Sequence, residues 1–138
     1  MEINEVFELA TDAWNRQDQD SYLTFHSEDY EIVTPNMTGT GHDAVRQFWA
    51  SNFGPFPDNR LTVRRTVVDG ETIVEEGVFA GTNTGPLSTP DGIELPATGA
   101  AVSVPYAGLH TVRDGRFVSS SFYWDSMALL QQLGLLQQ

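Results

Sequence analysis

The pair Asp114-Gly115 restricts this chain more than any other feature, because it lies between two long runs that both read as strands. Ala101 to Arg113 precedes it, and Phe117 to Asp125, rich in aromatic, Val and Ser residues, follows. Asp-Gly suits the two left-handed positions of a type I′ turn, whose twist matches that of the strands it joins. The runs therefore form a hairpin, and an antiparallel sheet becomes the frame of the fold. Alternation puts Phe117, Ser119, Ser121, Tyr123 and Asp125 on one face of the second strand and Val118, Ser120, Phe122 and Trp124 on the other. On the first strand Val102, Val104, Tyr106, Gly108, His110 and Val112 share a face. With Arg113 opposite Arg116, His110 falls opposite Ser119, so His110, Tyr106, Tyr123 and Asp125 project to one side. Ser119 and Asp125 lie about 20 Å apart along a straight strand. His110 and Asp125 would then meet different parts of one elongated ligand rather than each other.

Beyond Trp124 the pattern turns helical, with Met127, Leu130 and Leu133 at close spacing and Gly134 as a stop. Asp125 stands at the junction, where two roles are open to it. It can cap the helix. It can also be a carboxylate at the end of a partly apolar face, raised by desolvation into the range of a general acid or base. For His110 a structural hydrogen bond within the sheet competes equally with contact to a substrate.

Upstream, Ile3, Val6, Phe7, Ala10, Ala13 and Trp14 mark an amphipathic helix over Glu2 to Asn15. Asp20 resembles the N-cap of a short second helix carrying Tyr22, Leu23 and Phe25, and His26 suits its C-terminal dipole at the surface. Asp29 to Thr34 alternates as a strand. A third helix, about His42 to Asn52, carries Ala44, Val45, Phe48 and Trp49 and is broken at Gly54-Pro55. Leu61, Val63 and Val67 lead to Asp69-Gly70, and a return strand carries Ile73, Val74, Val78 and Phe79. That turn places Arg64 opposite Glu75 as a solvated cross-strand pair. Gly85 to Gly99, rich in Pro and Gly, reads as a loop or loose hairpin at the mouth of whatever the sheet encloses.

With 138 residues the chain makes one domain, residues 1–138, able to bury a core without staples. It has no cysteine, which excludes disulfides and thiolate chemistry. A net charge of -12 argues against nucleic acid and anionic membranes as partners. Neither a signal peptide nor an apolar run of membrane-spanning length is evident, so the expected location is cytoplasmic. The three histidines lie on three different elements without metal-binding spacing, so no metal is expected.

Helices followed by a curved run of long strands suggest an α+β cone, with N-terminal helices packed on a strongly curved, mostly antiparallel sheet that encloses a pocket. On these features the sequence resembles the SnoaL-like polyketide cyclase family of the nuclear transport factor 2-like superfamily. The carriers are Ala13-Trp14-Asn15, Gly41-His42-Asp43-Ala44-Val45, Phe56-Pro57-Asp58, Gly81-Thr82-Asn83-Thr84-Gly85 and Leu109-His110. The most specific is Tyr123-Trp124-Asp125 running into Leu129-Leu130-Gln131-Gln132-Leu133-Gly134. The resemblance implies ring closure of a polyketide-like intermediate by intramolecular aldol condensation, without metal or organic cofactor. It implies Asp125 as general acid/base and His110 as its catalytic companion that helps hold the substrate. Asn83 would be a polar contact, and Trp14, Phe48, Tyr106 and Tyr123 would line the pocket. Trp14 stands where aldol cyclases of the family have tyrosine, and Phe48 near a family asparagine, changes that enlarge the apolar surface for a flat substrate. The same cavity would also serve an isomerase, an epoxide-opening cyclase, or a non-catalytic binding domain. The resemblance points to a homodimer as well. Val118, Phe122 and Trp124, on the far face of the last strand, would be exposed unless another subunit or a helix covers them.

Overall fold

The computed structural model describes residues 1–89 and 91–136. In chain order the elements are α1 (Ile3–Asn15), α2 (Gln19–Thr24), β1 (His26–Val33), β2 (Thr38–Thr40), α3 (Gly41–Phe53), β3 (Arg60–Asp69), β4 (Thr72–Thr82), β5 (Leu87–Ser88), β6 (Glu94–Leu95), β7 (Ala101–Arg113), β8 (Arg116–Trp124) and α4 (Ser126–Gln132). The main sheet runs β2-β1-β8-β7-β4-β3, and β5 with β6 forms a separate two-stranded hairpin. Every pairing in the main sheet is antiparallel except that of β1 with β8.

The apolar stripes explain the layering. Val6, Phe7, Ala10, Ala13 and Trp14 of α1 and Ala44, Val45, Phe48 and Trp49 of α3 are buried together against Tyr30, Ile32, Ile73, Tyr106, Val112, Phe117 and Phe122 of the sheet. The helices thus cover one face of a curved, mostly antiparallel sheet, and the chain has the α+β cone expected of it. Trp14 is the hub of this core. Its indole packs edge-on against Tyr22 and Trp49 at centroid distances of 5.3 and 5.1 Å. Its Nε1–H donates to Asn59 Oδ1 at 2.8 Å, so the one polar atom of the ring is satisfied within the core.

Local departures from the sequence reading all have structural causes. Asp18, not Asp20, caps α2, accepting from the Ser21 backbone N–H at 3.1 Å. His26 does not end that helix at the surface. It opens β1 and is 3 % exposed. The first hairpin turns at Gly70-Glu71, with Asp69 paired to Thr72, and its register slips between Val63 and Arg65. Glu75 therefore faces Thr66 rather than Arg64. The last hairpin turns at Asp114-Gly115 as expected, both residues at positive φ. Yet Thr111 pairs with Ser119 and Val112 with Phe117, which leaves Val118 as an extra residue in β8. That bulge inverts the facing of everything after it. His110 lies opposite Ser120, and Phe122 points into the core where the uninterrupted alternation put it outside.

Candidate active site

Two neighbouring strands build the site through their register. Across β4 and β7, Ile73 pairs with His110, Glu75 with Gly108, and Gly77 with Tyr106. These six residues share the buried face of the sheet, since alternate positions of a strand face one way. Glu75 thus has His110 and Tyr106 as diagonal neighbours on β7, within reach of long side chains. The two glycines leave the room that lets the three side chains meet. A Cβ on Gly108 would lie 2.7 Å from Glu75 Oε1 and 3.0 Å from His110 Nε2. A Cβ on Gly77 would lie 2.6 Å from the Thr62 carbonyl oxygen and 2.9 Å from the Tyr106 ring.

In the gap, His110 Nε2 stands 2.9 Å from Glu75 Oε1, and the Tyr106 hydroxyl donates to Glu75 Oε2 at 3.2 Å. Both carboxylate oxygens are engaged, one by each neighbour. An ionised carboxylate only accepts, so His110 donates through Nε2, and in the neutral ring Nδ1 then accepts from the Ser120 hydroxyl at 2.6 Å. The His110 and Glu75 side chains are 6 % and 4 % exposed. Burial, reinforced by the charge of Glu75, holds the Tyr106 phenol well above its ordinary range, so it stays a proton donor.

This pair opens on a cavity of about 350 Å³. Its wall is largely aromatic and aliphatic, with Phe7, Trp14, Phe48, Phe79, Phe122 and Trp124 among the lining residues. All seven basic residues of the chain are arginine, and none of them reaches this wall. The result is a largely apolar chamber into which the sheet brings a carboxylate, an imidazole and a phenol from Glu75, His110 and Tyr106.

The expected site residues divide into two groups. Trp14, Phe48, Tyr106 and His110 line the cavity. Asn83, Tyr123 and Asp125 do not. Asn83 is fully buried, and its amide is used up within the protein. Nδ2 donates to the carbonyls of Pro55 and Gly85, while Oδ1 accepts from the backbone and hydroxyl of Thr98. It fastens the mouth loops and has no hydrogen bond left for a substrate. Tyr123 is 56 % exposed on the outer face of the sheet, because the Val118 bulge turned it away. Asp125 lies at the rim, between the lining residues Trp124 and Leu129, with its side chain exposed and accepting from the Ala128 backbone N–H at 3.0 Å. Of its two open roles it has the cap. The sequence reading missed Glu75. Its signal was the spacing of Glu75 from Ile73 and Phe79 on one face of β4, with Gly77 between them marking a close approach.

A bent sheet roofed by helices over an apolar chamber, with a buried carboxylate and imidazole inside, defines an NTF2-like α+β cone. Within that class, the SnoaL-like polyketide cyclase family matches residues 4–133, and the chain belongs to that family. Solved structures agree on the fold. TsrD from Streptomyces laurentii is similar with a TM-score of 0.81 at 26% identity, over 97% of this chain and 96% of that one. A protein from Jannaschia sp. CCS1, provisionally assigned as a SnoaL-like polyketide cyclase, is similar with a TM-score of 0.83 at 23% identity, over 96% and 92%. A Catenulispora acidiphila protein described as having a ketosteroid isomerase-like fold, in complex with trimethylamine, is similar with a TM-score of 0.79 at 20% identity, over 96% and 94%. No curated protein matches the chain by sequence.

Proposed function

We propose that the chain closes a ring in a neutral, polyketide-like substrate by acid/base aldol chemistry, with Glu75 as the general base and His110 and Tyr106 as its partners. The observation that carries this is a carboxylate held inside an apolar cavity between two hydrogen-bond donors. Each Glu75 oxygen keeps a second lone pair beyond the one its partner uses, so the group can still accept a proton from a carbon flanked by carbonyls. The pair of electrons released on that carbon delocalises onto the adjacent carbonyl oxygen. A nearby O–H such as that of Tyr106 then stabilises the enolate. Attack of the enolate carbon on a second carbonyl forms the ring bond, and protonation of the resulting alkoxide returns the proton taken by Glu75. The absence of arginine from the wall suits an uncharged substrate. A free carboxylate placed there would face Glu75 without a compensating cation. In this scheme Glu75 takes the place that the resemblance assigned to Asp125, and His110 keeps its part.

The test uses a simple carbon acid. Uptake of deuterium at the α-carbon of 2-tetralone, followed by NMR, reports proton abstraction without requiring the natural substrate. The wild-type protein is expected to accelerate exchange, and Glu75→Gln to remove most of the acceleration, about 10²- to 10⁴-fold. Equal exchange in both would overturn the assignment.

A further inference from the structure

His26 is a buried titratable group that this chemistry leaves unused. It is part of the cavity wall, although only 3 % exposed. Its Nδ1–H donates to the Tyr22 carbonyl at 2.8 Å, back in α2. That bond settles the tautomer, because in a neutral imidazole with hydrogen on Nδ1 the lone pair resides on Nε2. Among the described residues no group pairs with Nε2. Among the described residues the fully buried side-chain atom lacking a partner is Ser27 Oγ, so His26 Nε2 is open to the cavity it lines. The ring cannot turn away easily. It packs against Tyr22, Tyr30 and Phe117 at centroid distances of 4.7, 4.7 and 5.3 Å. Its own backbone carbonyl accepts from His42 Nε2 at 2.9 Å, which anchors the start of β1 to α3. Burial, with smaller contributions from His110 and His42, lowers its pKa to about 3. At neutral pH it is an acceptor and not an acid.

We propose that His26 Nε2 selects substrates that carry a hydroxyl, phenolic or enolic, by accepting its hydrogen bond and so orienting the molecule relative to Glu75. This deepens the acid/base reading and rests on it for the position of the reacting carbon. The cavity's phenols, Tyr22 and Tyr106, are both held protonated by burial; Tyr106 donates to Glu75, and Tyr22 can satisfy a carbonyl oxygen. A substrate O–H needs an acceptor, and a neutral imidazole supplies one without adding a second negative charge beside Glu75. A ligand whose hydroxyl is methylated leaves Nε2 unpaired in an apolar wall, a loss that decides between otherwise equal ligands.

Two probes of nearly equal shape test this: 2-naphthol and 2-methoxynaphthalene, with binding followed by quenching of tryptophan fluorescence. Wild-type protein is expected to bind the naphthol about tenfold more tightly. His26→Phe keeps an aromatic ring in the core and should erase that preference while retaining affinity for the methyl ether, which also shows that the variant is folded. Glu75→Gln should retain the preference although it loses deuterium exchange, so failure of the two proposals can be told apart. A preference that survives in His26→Phe, vanishes in Glu75→Gln, or is missing from wild type overturns the assignment. Should His26→Phe fail to fold, the ¹⁵N signal of His26 Nε2 in wild type decides. It moves on addition of 2-naphthol and stays in place with the ether if Nε2 is the acceptor, and does not respond to 2-naphthol otherwise.

Discussion

Replacing Gly108 by alanine adds one methyl group at the centre of the site, and the geometry sets how much that should matter. The new carbon would stand 2.7 Å from Glu75 Oε1, 3.0 Å from His110 Nε2 and 3.0 Å from Phe122 Cε1. The cheapest relief is for the Glu75 carboxyl to swing into the cavity, because it is the end of a flexible chain. That movement breaks the charge-assisted bond from His110, now 2.9 Å long, at a cost of about 1.5–3 kcal/mol. Against it stands a gain of about 0.5–1 kcal/mol, since alanine is better than glycine inside a strand. The net expectation is a loss of about 1–2 kcal/mol in denaturant unfolding, with the slope of the transition unchanged. Deuterium exchange at 2-tetralone should fall with it, as the carboxylate leaves the position set by His110 and Tyr106. A double-mutant cycle isolates the cause. In a Glu75→Ala background the main obstacle is gone, so Gly108→Ala should cost at least about 1 kcal/mol less than in wild type. Additive effects, or a Gly108→Ala protein as stable as wild type with an unmoved His110 ¹⁵N spectrum, would refute the account of how the pair is held.

Asp125→Asn preserves a good N-cap and should leave both stability and deuterium exchange within about twofold of wild type, in contrast to Glu75→Gln; a loss comparable to that of Glu75→Gln would return the base to Asp125. His26 has a folded pKa of about 3, below the ordinary histidine value of 6.5, so the unfolded chain binds its proton first on acidification and stability is lost as pH falls through this window. His26→Phe should therefore flatten the stability profile between about pH 6 and 4.5, above the carboxylate range, by up to about 1.4 kcal/mol per pH unit. An unchanged slope in urea titrations would refute that burial. The outer face of the sheet exposes Leu109 at 41 %, Tyr123 at 56 % and Val67 at 58 %, and a second copy of the chain is expected to cover it. Light scattering should then give twice the mass of one chain, reduced toward that of a monomer by Tyr123→Glu, and a wild-type monomer would refute it.

Most of the frame was legible because its signals are local. The Asp114-Gly115 turn, the stripe of Val6, Phe7, Ala10, Ala13 and Trp14, and the broken end of the third helix each declare themselves within a few residues, and the structure has all three. The site was harder to read because its residues meet through register, and register accumulates every irregularity along a strand. One extra residue at Val118 turned Phe122 inward and Tyr123 outward, and with it the argument that placed Asp125 on the interior face. A turn displaced to Gly70-Glu71 moved the partner of Glu75 from Arg64 to Thr66, and the face of β4 that Glu75 shares with Ile73 and Gly77 turns inward, which makes it the buried partner of His110 rather than a surface partner of arginine. Bulges of this kind follow from how a long strand must bend to wrap a cavity, a tertiary demand that no short window of sequence expresses. What the sequence did express was the compensation. Gly77 and Gly108 interrupt two otherwise well-formed strands, which weakens them unless a neighbour needs the space. Set opposite Tyr106 and Glu75, those two glycines mark where large polar side chains crowd together, and so locate the chemistry without any assumption about which carboxylate performs it.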